Sequence, residues 1–124
     1  MAKTPEGVVK DAIKRQLKAM GAWYFMPVSN GMGQVGIPDI IICYRGLFVA
    51  IEAKAPGKRN AVTENQKRVM EAIRTAHGYA WVCDDAADIP MLFNALDISL
   101  KLERPNDQIN TPQAGIPEVL QRSP

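Results

Sequence analysis

The chain has 124 residues, 47% hydrophobic and 23% charged. That is the length of one domain with enough apolar groups for a core, which excludes a wholly disordered chain. A single histidine and two cysteines cannot supply the four ligands of a structural zinc site, nor a disulfide framework. Any chemistry therefore falls to carboxylates, lysines and a hard metal ion. No apolar run approaches the ~20 residues of a membrane span, so no membrane partner is expected. The opening Met1-Ala2-Lys3-Thr4-Pro5-Glu6 lacks the apolar core of a signal peptide, and the expected location is cytoplasmic.

The net charge of +2 hides an uneven distribution. Residues 1–20 carry net +3, residues 21–53 net −1, residues 54–75 net +4 and residues 76–124 net −4. A basic front and an acidic rear point to a polyanionic partner on one side.

Thr4-Pro5-Glu6 reads as a helix start, with a Thr N-cap, Pro at the first helical position and an acid in the first turn. Val9, Ile13, Leu17 and Met20 follow at helical spacing, and Gly21 is the expected stop. Glu6 falls on the apolar stripe, an unusual place for a carboxylate. Residues 22–28 are aromatic-rich and read as a strand. Ser29 to Gly36 is a glycine-rich loop. No Gly-Lys-Ser/Thr follows it, and a strand rather than a helix comes next, so neither phosphate-loop nor dinucleotide fingerprint applies. Its glycines suit a flexible loop or close approach of a substrate backbone.

Residues 40–44 and 47–51 are β-rich runs joined by Arg45-Gly46, a hairpin turn. After a loop over residues 55–60, Thr63-Glu64-Asn65-Gln66 is a capping-box start. The helix it opens carries Val69, Met70, Ile73 and Ala76, and Gly78 ends it. Tyr79 to Cys83 is a strand, and a last helix begins near Asp84 or Asp88. Cys43 and Cys83 read as buried thiols, and His77 as a helix C-terminal residue. The expected fold class is α/β, a mixed central sheet with a β-hairpin flanked by helices. One domain is expected over residues 1–100, with an irregular or flexible tail over residues 101–124.

The hairpin places the chemistry. If Arg45 and Gly46 form a two-residue turn, Tyr44 faces Leu47, Ile40 faces Ile51 and Asp39 faces Glu52. Opposed residues share a sheet face with Cβ atoms ~4.5–5.5 Å apart, and Lys54 lies two residues on, on the same face. Two facing carboxylates repel unless a cation lies between them. A hard divalent ion with oxygen ligands, the Ala53 carbonyl among them, relieves that repulsion. Lys54 then orients a hydrolytic water or stabilises charge developing on a phosphate.

At these residues the sequence resembles the PD-(D/E)XK nuclease superfamily: Pro38-Asp39 matches its first half-motif and Glu52-Ala53-Lys54 its second. Within it, the chain is similar to the virus-type replication-repair nuclease (VRR-NUC) domains in their stand-alone, phage-like form. That resemblance rests on Glu6, Gly36-Ile37-Pro38-Asp39-Ile40, Ile51-Glu52-Ala53-Lys54, and Thr63 with Gln66 after a basic loop, across residues 4–97. It implies a restriction-endonuclease-like core and Mg²⁺- or Mn²⁺-dependent hydrolysis of phosphodiester bonds in DNA. In this reading Asp39, Glu52, Ala53 and Glu6 form the metal environment, Lys54 assists the water, and Gln66 supports Lys54 or the substrate. The capping box accounts for Gln66 equally well. Lys10, Lys14, Asn30, Lys58, Arg59 and Lys67 are the candidate DNA contacts. Stand-alone members resemble dimeric Holliday-junction resolvases. The expected substrate is accordingly a four-way junction or other branched DNA, the assembly a homodimer, and the setting a bacterial or phage-infected cell. The alternatives are a catalytically silent junction-binding module and a restriction-type endonuclease acting on duplex DNA.

Overall fold

Arg45 and Gly46 both adopt left-handed backbone angles, φ 50° and 82°, as a two-residue turn that follows the strand twist requires. They join β2 (Ile40–Tyr44) to β3 (Leu47–Ala53) in the expected register, from Tyr44 opposite Leu47 to Ile40 opposite Ile51. The computed structural model describes residues 3–28 and 35–103. The remaining elements are α1 (Pro5–Ala19), β1 (Trp23–Phe25), α2 (Glu64–Thr75), β4 (Tyr79–Cys83), a 3₁₀ turn (Ala86–Asp88) and α3 (Ile89–Glu103). The residues expected to form the tail beyond α3, 104–124, lie outside the described residues.

The sheet order is β1-β2-β3-β4, antiparallel except for the parallel β3–β4 pair. This is the mixed, helix-flanked sheet of a restriction-endonuclease-like α/β fold. Ile40, Ile42 and Tyr44 of β2 and Val49, Ile51 and Ala53 of β3 point to one face. There they meet Val9, Ile13 and Leu17 of α1 and Ile89, Phe93 and Leu96 of α3. The opposite face carries Ala50 and Glu52 of β3, and α2 packs on it chiefly against β4. Cys43 is exposed on that second face, not buried as its apolar strand suggested, because α2 does not reach over β1 and β2. Trp23 and Phe25 of β1 are exposed there for the same reason.

Two strands differ in length from their expected bounds. β1 stops at Phe25, opposite Ile41. Two positions further on, Pro27 has no N–H to offer the ladder. β3 runs two residues beyond Ile51, because β4 supplies parallel partners for Glu52 (Val82) and Ala53 (Cys83). The end of α2 also differs. His77, not Gly78, takes the left-handed position, with φ 70°. Its N–H donates to Arg74 and that of Gly78 to Ile73, the two bonds of a Schellman stop.

Gly36 shows what its loop needs glycine for. Its φ is +88°, and a Cβ there would lie 2.5 Å from the Asn65 carbonyl oxygen and 2.9 Å from the Gln66 nitrogen. The backbone that approaches it is the first turn of α2. Gly36→Ala is expected to cost about 2–4 kcal/mol, combining left-handed strain with overpacking. A urea midpoint within error of wild type would refute this packing role.

Candidate active site

Thr63 caps α2 by accepting from the Gln66 N–H, and the Gln66 side chain returns to the Thr63 N–H at 3.0 Å. The capping box thus orients the first turn of α2, and with it the Gln66 amide, toward the end of β3. The same Gln66 Oε1 accepts from Lys54 Nζ at 3.1 Å, and its Nε2 donates to Glu52 Oε2 at 3.1 Å. The two sequence readings of Gln66, as cap and as partner of Lys54, hold together in one side chain. The amide orientation follows from chemistry, since the reverse would set NH₂ against an ammonium and oxygen against a carboxylate.

Glu52 and Lys54 are among the least exposed charged groups, at 4% and 9% relative exposure. Their charged atoms lie 3.5 Å apart. Alternation along β3 puts both on the face toward α2, as the hairpin arithmetic requires. Glu52 Oε1 is buried with no hydrogen-bond partner. Burial, and next the charge of Asp39, push the Glu52 carboxyl up to about 7, against the opposing pull of Lys54.

Asp39 lies just before β2, outside the ladder rather than in a strict pair with Glu52. Its Oδ2 accepts from the Ala53 N–H at 2.9 Å, so its carboxylate sits beside the Glu-x-Lys segment and bears electrostatically on Glu52. Its Oδ1 lies 3.5 Å from Lys10 Nζ. Glu6, in the first turn of α1, lies 3.6 Å from the same ammonium. Glu6, Asp39, Glu52, Lys54 and Gln66 are thereby linked through Lys10 and short polar contacts across α1, β2, β3 and α2.

Among the described residues, no three His, Cys, Asp or Glu side chains form a ready metal cage. The donor chemistry nevertheless fits a hard divalent cation. The Asp39 charge opposes ionisation of Glu52, and one buried carboxylate oxygen of Glu52 has no donor to satisfy it. Asp39 and Glu52 supply the oxygen donors that could hold such an ion, and Glu6 meets Asp39 only through Lys10.

The remaining basic candidates are held in different ways. Lys14 pairs with Asp11 at 3.3 Å along α1, and Lys67 with Glu64 at 3.3 Å. The second pair is exposed and holds its charges only weakly, while the first is half-buried. Lys58 is exposed in the loop after β3. Arg59 is different: its guanidinium bonds Asp84 at 2.9 Å and Asp88 at 2.7 Å. Asp84 also accepts from the Gly57 N–H at 3.2 Å, so one carboxylate at the end of β4 pins the basic loop at two points. Burial pushes the Asp84 carboxyl up, but the Arg59 hydrogen bond and charge outweigh it and leave it below its usual value. Neither Asp84 nor Asp88 was visible as a site neighbour in the sequence, although the excess of acids after residue 76 was. Asn30 lies outside the described residues. No helix among the described residues is long and apolar enough to cross a membrane.

No protein-family model and no curated protein matches this sequence. Among solved structures, a chain described as a "VRR_NUC domain" superposes with a TM-score of 0.60 at 23% identity, over 74% of this chain and 97% of that one. The chain is thus similar in fold to a VRR_NUC domain along nearly that domain's whole length.

Proposed function

We propose that this chain is a divalent-metal-dependent DNA endonuclease that hydrolyses phosphodiester bonds in branched DNA, with the four-way junction as its substrate. The observation that carries this reading is the buried Glu52–Lys54–Gln66 network with Asp39 beside it and one carboxylate oxygen unpartnered. Burying an ion pair in this way brings little stability by itself, whereas a site that must bind a cation and polarise a phosphate needs it. The fold likeness to a VRR_NUC domain and the basic segments on either side are consistent with DNA as the ligand.

Asp39, Glu52, the Ala53 carbonyl and Glu6 are the residues that would hold Mg²⁺ or Mn²⁺. When bound, the ion supplies Lewis-acid charge stabilisation and an activated water. Lys54 keeps its ammonium directed at the cleavage point, because Gln66 Oε1 holds it by one hydrogen bond and leaves the other donors free. Its work is electrostatic, stabilising charge that develops on the phosphate. Lys14, Lys58 and Lys67, with Lys10 and Arg59 once freed from their carboxylates, contact backbone phosphates, and such contacts position DNA without reading its sequence. A homodimer would present two such sites for paired cuts in a two-fold symmetric junction.

Purified protein is to be assayed with Mg²⁺ or Mn²⁺ on four-way junctions and on random-sequence linear duplexes, its mass read by light scattering. Junction cleavage that Asp39→Ala abolishes is the expected result. Salt-dependent junction binding without cleavage in any divalent ion would instead identify a silent binding module. Preferential cutting of linear duplex would identify a restriction-type enzyme.

A further inference from the structure

The carboxylates of the candidate site already have a cation among them. Lys10 Nζ lies 3.5 Å from Asp39 Oδ1 and 3.6 Å from Glu6 Oε2. The Glu6 contact alone would be an ordinary pair one helical turn apart. The Asp39 contact is not, because Asp39 arrives from the start of β2, on another element. The Lys10 side chain is only 26% exposed, so it leans into the site rather than out into water. On the other flank Lys54 meets Glu52 at 3.5 Å. Three carboxylates thus face two ammoniums, and with every acid ionised the cluster carries a net charge of only −1. A divalent ion with oxygen ligands is bound more tightly as the ligand charge rises. Withdrawing Lys10 would bring the cluster to −2 and free oxygens on both Asp39 and Glu6. Glu52 Oε1, buried and unpartnered, lies beyond the reach of either lysine's hydrogen bonds, so the ammoniums do not complete the site.

We propose that Lys10 is an internal counter-ion that occupies the cation's place between Glu6 and Asp39 and must be displaced before a divalent ion can use both carboxylates. This rests on the reading of the site as a metal centre. It makes Lys10 a brake on metal binding in the DNA-free protein.

Titration calorimetry with Mn²⁺ alone, on the full chain without DNA, tests the idea independently of any cleavage. Lys10→Met keeps the stem and removes the charge, and is expected to bind Mn²⁺ about tenfold more tightly, ~1.4 kcal/mol in affinity. Lys10→Arg keeps the charge and should stay near wild type. Lys10→Gln serves as a second neutral variant should the methionine protein not fold. Neutral variants that bind Mn²⁺ no more tightly than wild type overturn the proposal, and so does an equal gain in Lys10→Arg. Wild-type protein whose Mn²⁺ binding is absent, or unaffected by Asp39→Asn, would overturn the metal-centre reading and this inference with it. Wild-type binding lost in Asp39→Asn but unimproved by neutralising Lys10 would leave the metal centre standing and remove only the brake.

Discussion

Lys54→Ala is expected to lower junction cleavage by about 10²–10³-fold, the usual loss when one preorganised donor to a developing oxyanion is removed. DNA binding should change little, since Lys54 is buried behind Gln66 rather than among the exposed phosphate contacts. The same change also threatens the fold. Glu52 Oε2 would lose its ammonium at 3.5 Å while remaining buried, and removing one partner of a buried pair is destabilising even where the carboxyl can take up a proton. A lost rate could then reflect unfolding alone. Comparing cleavage with melting separates the two effects: Lys54→Ala protein that is still folded by its melt yet cleaves about 10²–10³-fold less has lost chemistry. The double variant Glu52→Gln/Lys54→Met, which removes both charges but also a carboxylate proposed to hold the metal, reads stability alone. Its melting temperature should return toward wild type while cleavage stays lost. A double variant that regains both stability and activity would exclude a chemical role for Lys54.

The second expected result concerns pH. The Glu52 carboxyl, raised from 4.5 to about 7 by burial and then by Asp39, binds a proton in the folded protein over a range where the unfolded chain has released it. Its contribution to stability is therefore fully present below the unfolded value and is lost as pH rises through about 7. Between pH 5.5 and 8 the metal-free protein is expected to lose about 2 kcal/mol from this group, which appears as a drop of several degrees in Tm. Glu52→Gln should flatten that step. Mg²⁺ added at pH 8 should restore Tm in wild type but not in the variant, since a ligand that binds only the folded state stabilises it. Thermal melts in chelator at both pH values provide the check. An identical pH step in Glu52→Gln would show that the slope comes from other groups.

Much of the fold is legible because it is encoded by neighbours in the chain. Arg45-Gly46 sets a turn, the turn sets the register, and the register alternates Ile40, Ile42 and Tyr44 onto the core face. Thr63 and Gln66 announce a capping box three residues apart, and the structure contains both of its bonds. Asp39, Glu52 and Lys54 could be placed together for the same reason, through one hairpin. Local signals failed where a distant partner decided. The apolar run of β3 ends at Ile51, and only β4 pairing carries the strand on through Glu52 and Ala53. Cys43 lies in an apolar run yet is exposed, because helix placement and not strand composition covers a face.

The sequence by itself determined the identities and the local spacing: which carboxylates and lysine share a strand end, where the helices start, and that cysteine and histidine are too few for a four-ligand zinc site or a disulfide framework. Only the tertiary structure decided how those charges are compensated. Lys10 reaches across to Asp39, Gln66 spans Glu52 and Lys54, and Arg59 is held by Asp84 and Asp88. The reason is physical. Hydrogen-bonding and packing patterns repeat along the chain with the period of a helix or strand, whereas a charge interacts with whatever charge folding brings within a few ångströms. The nearly neutral composition thus resolves into a site in which three carboxylates, once ionised, and two ammoniums leave a single negative charge.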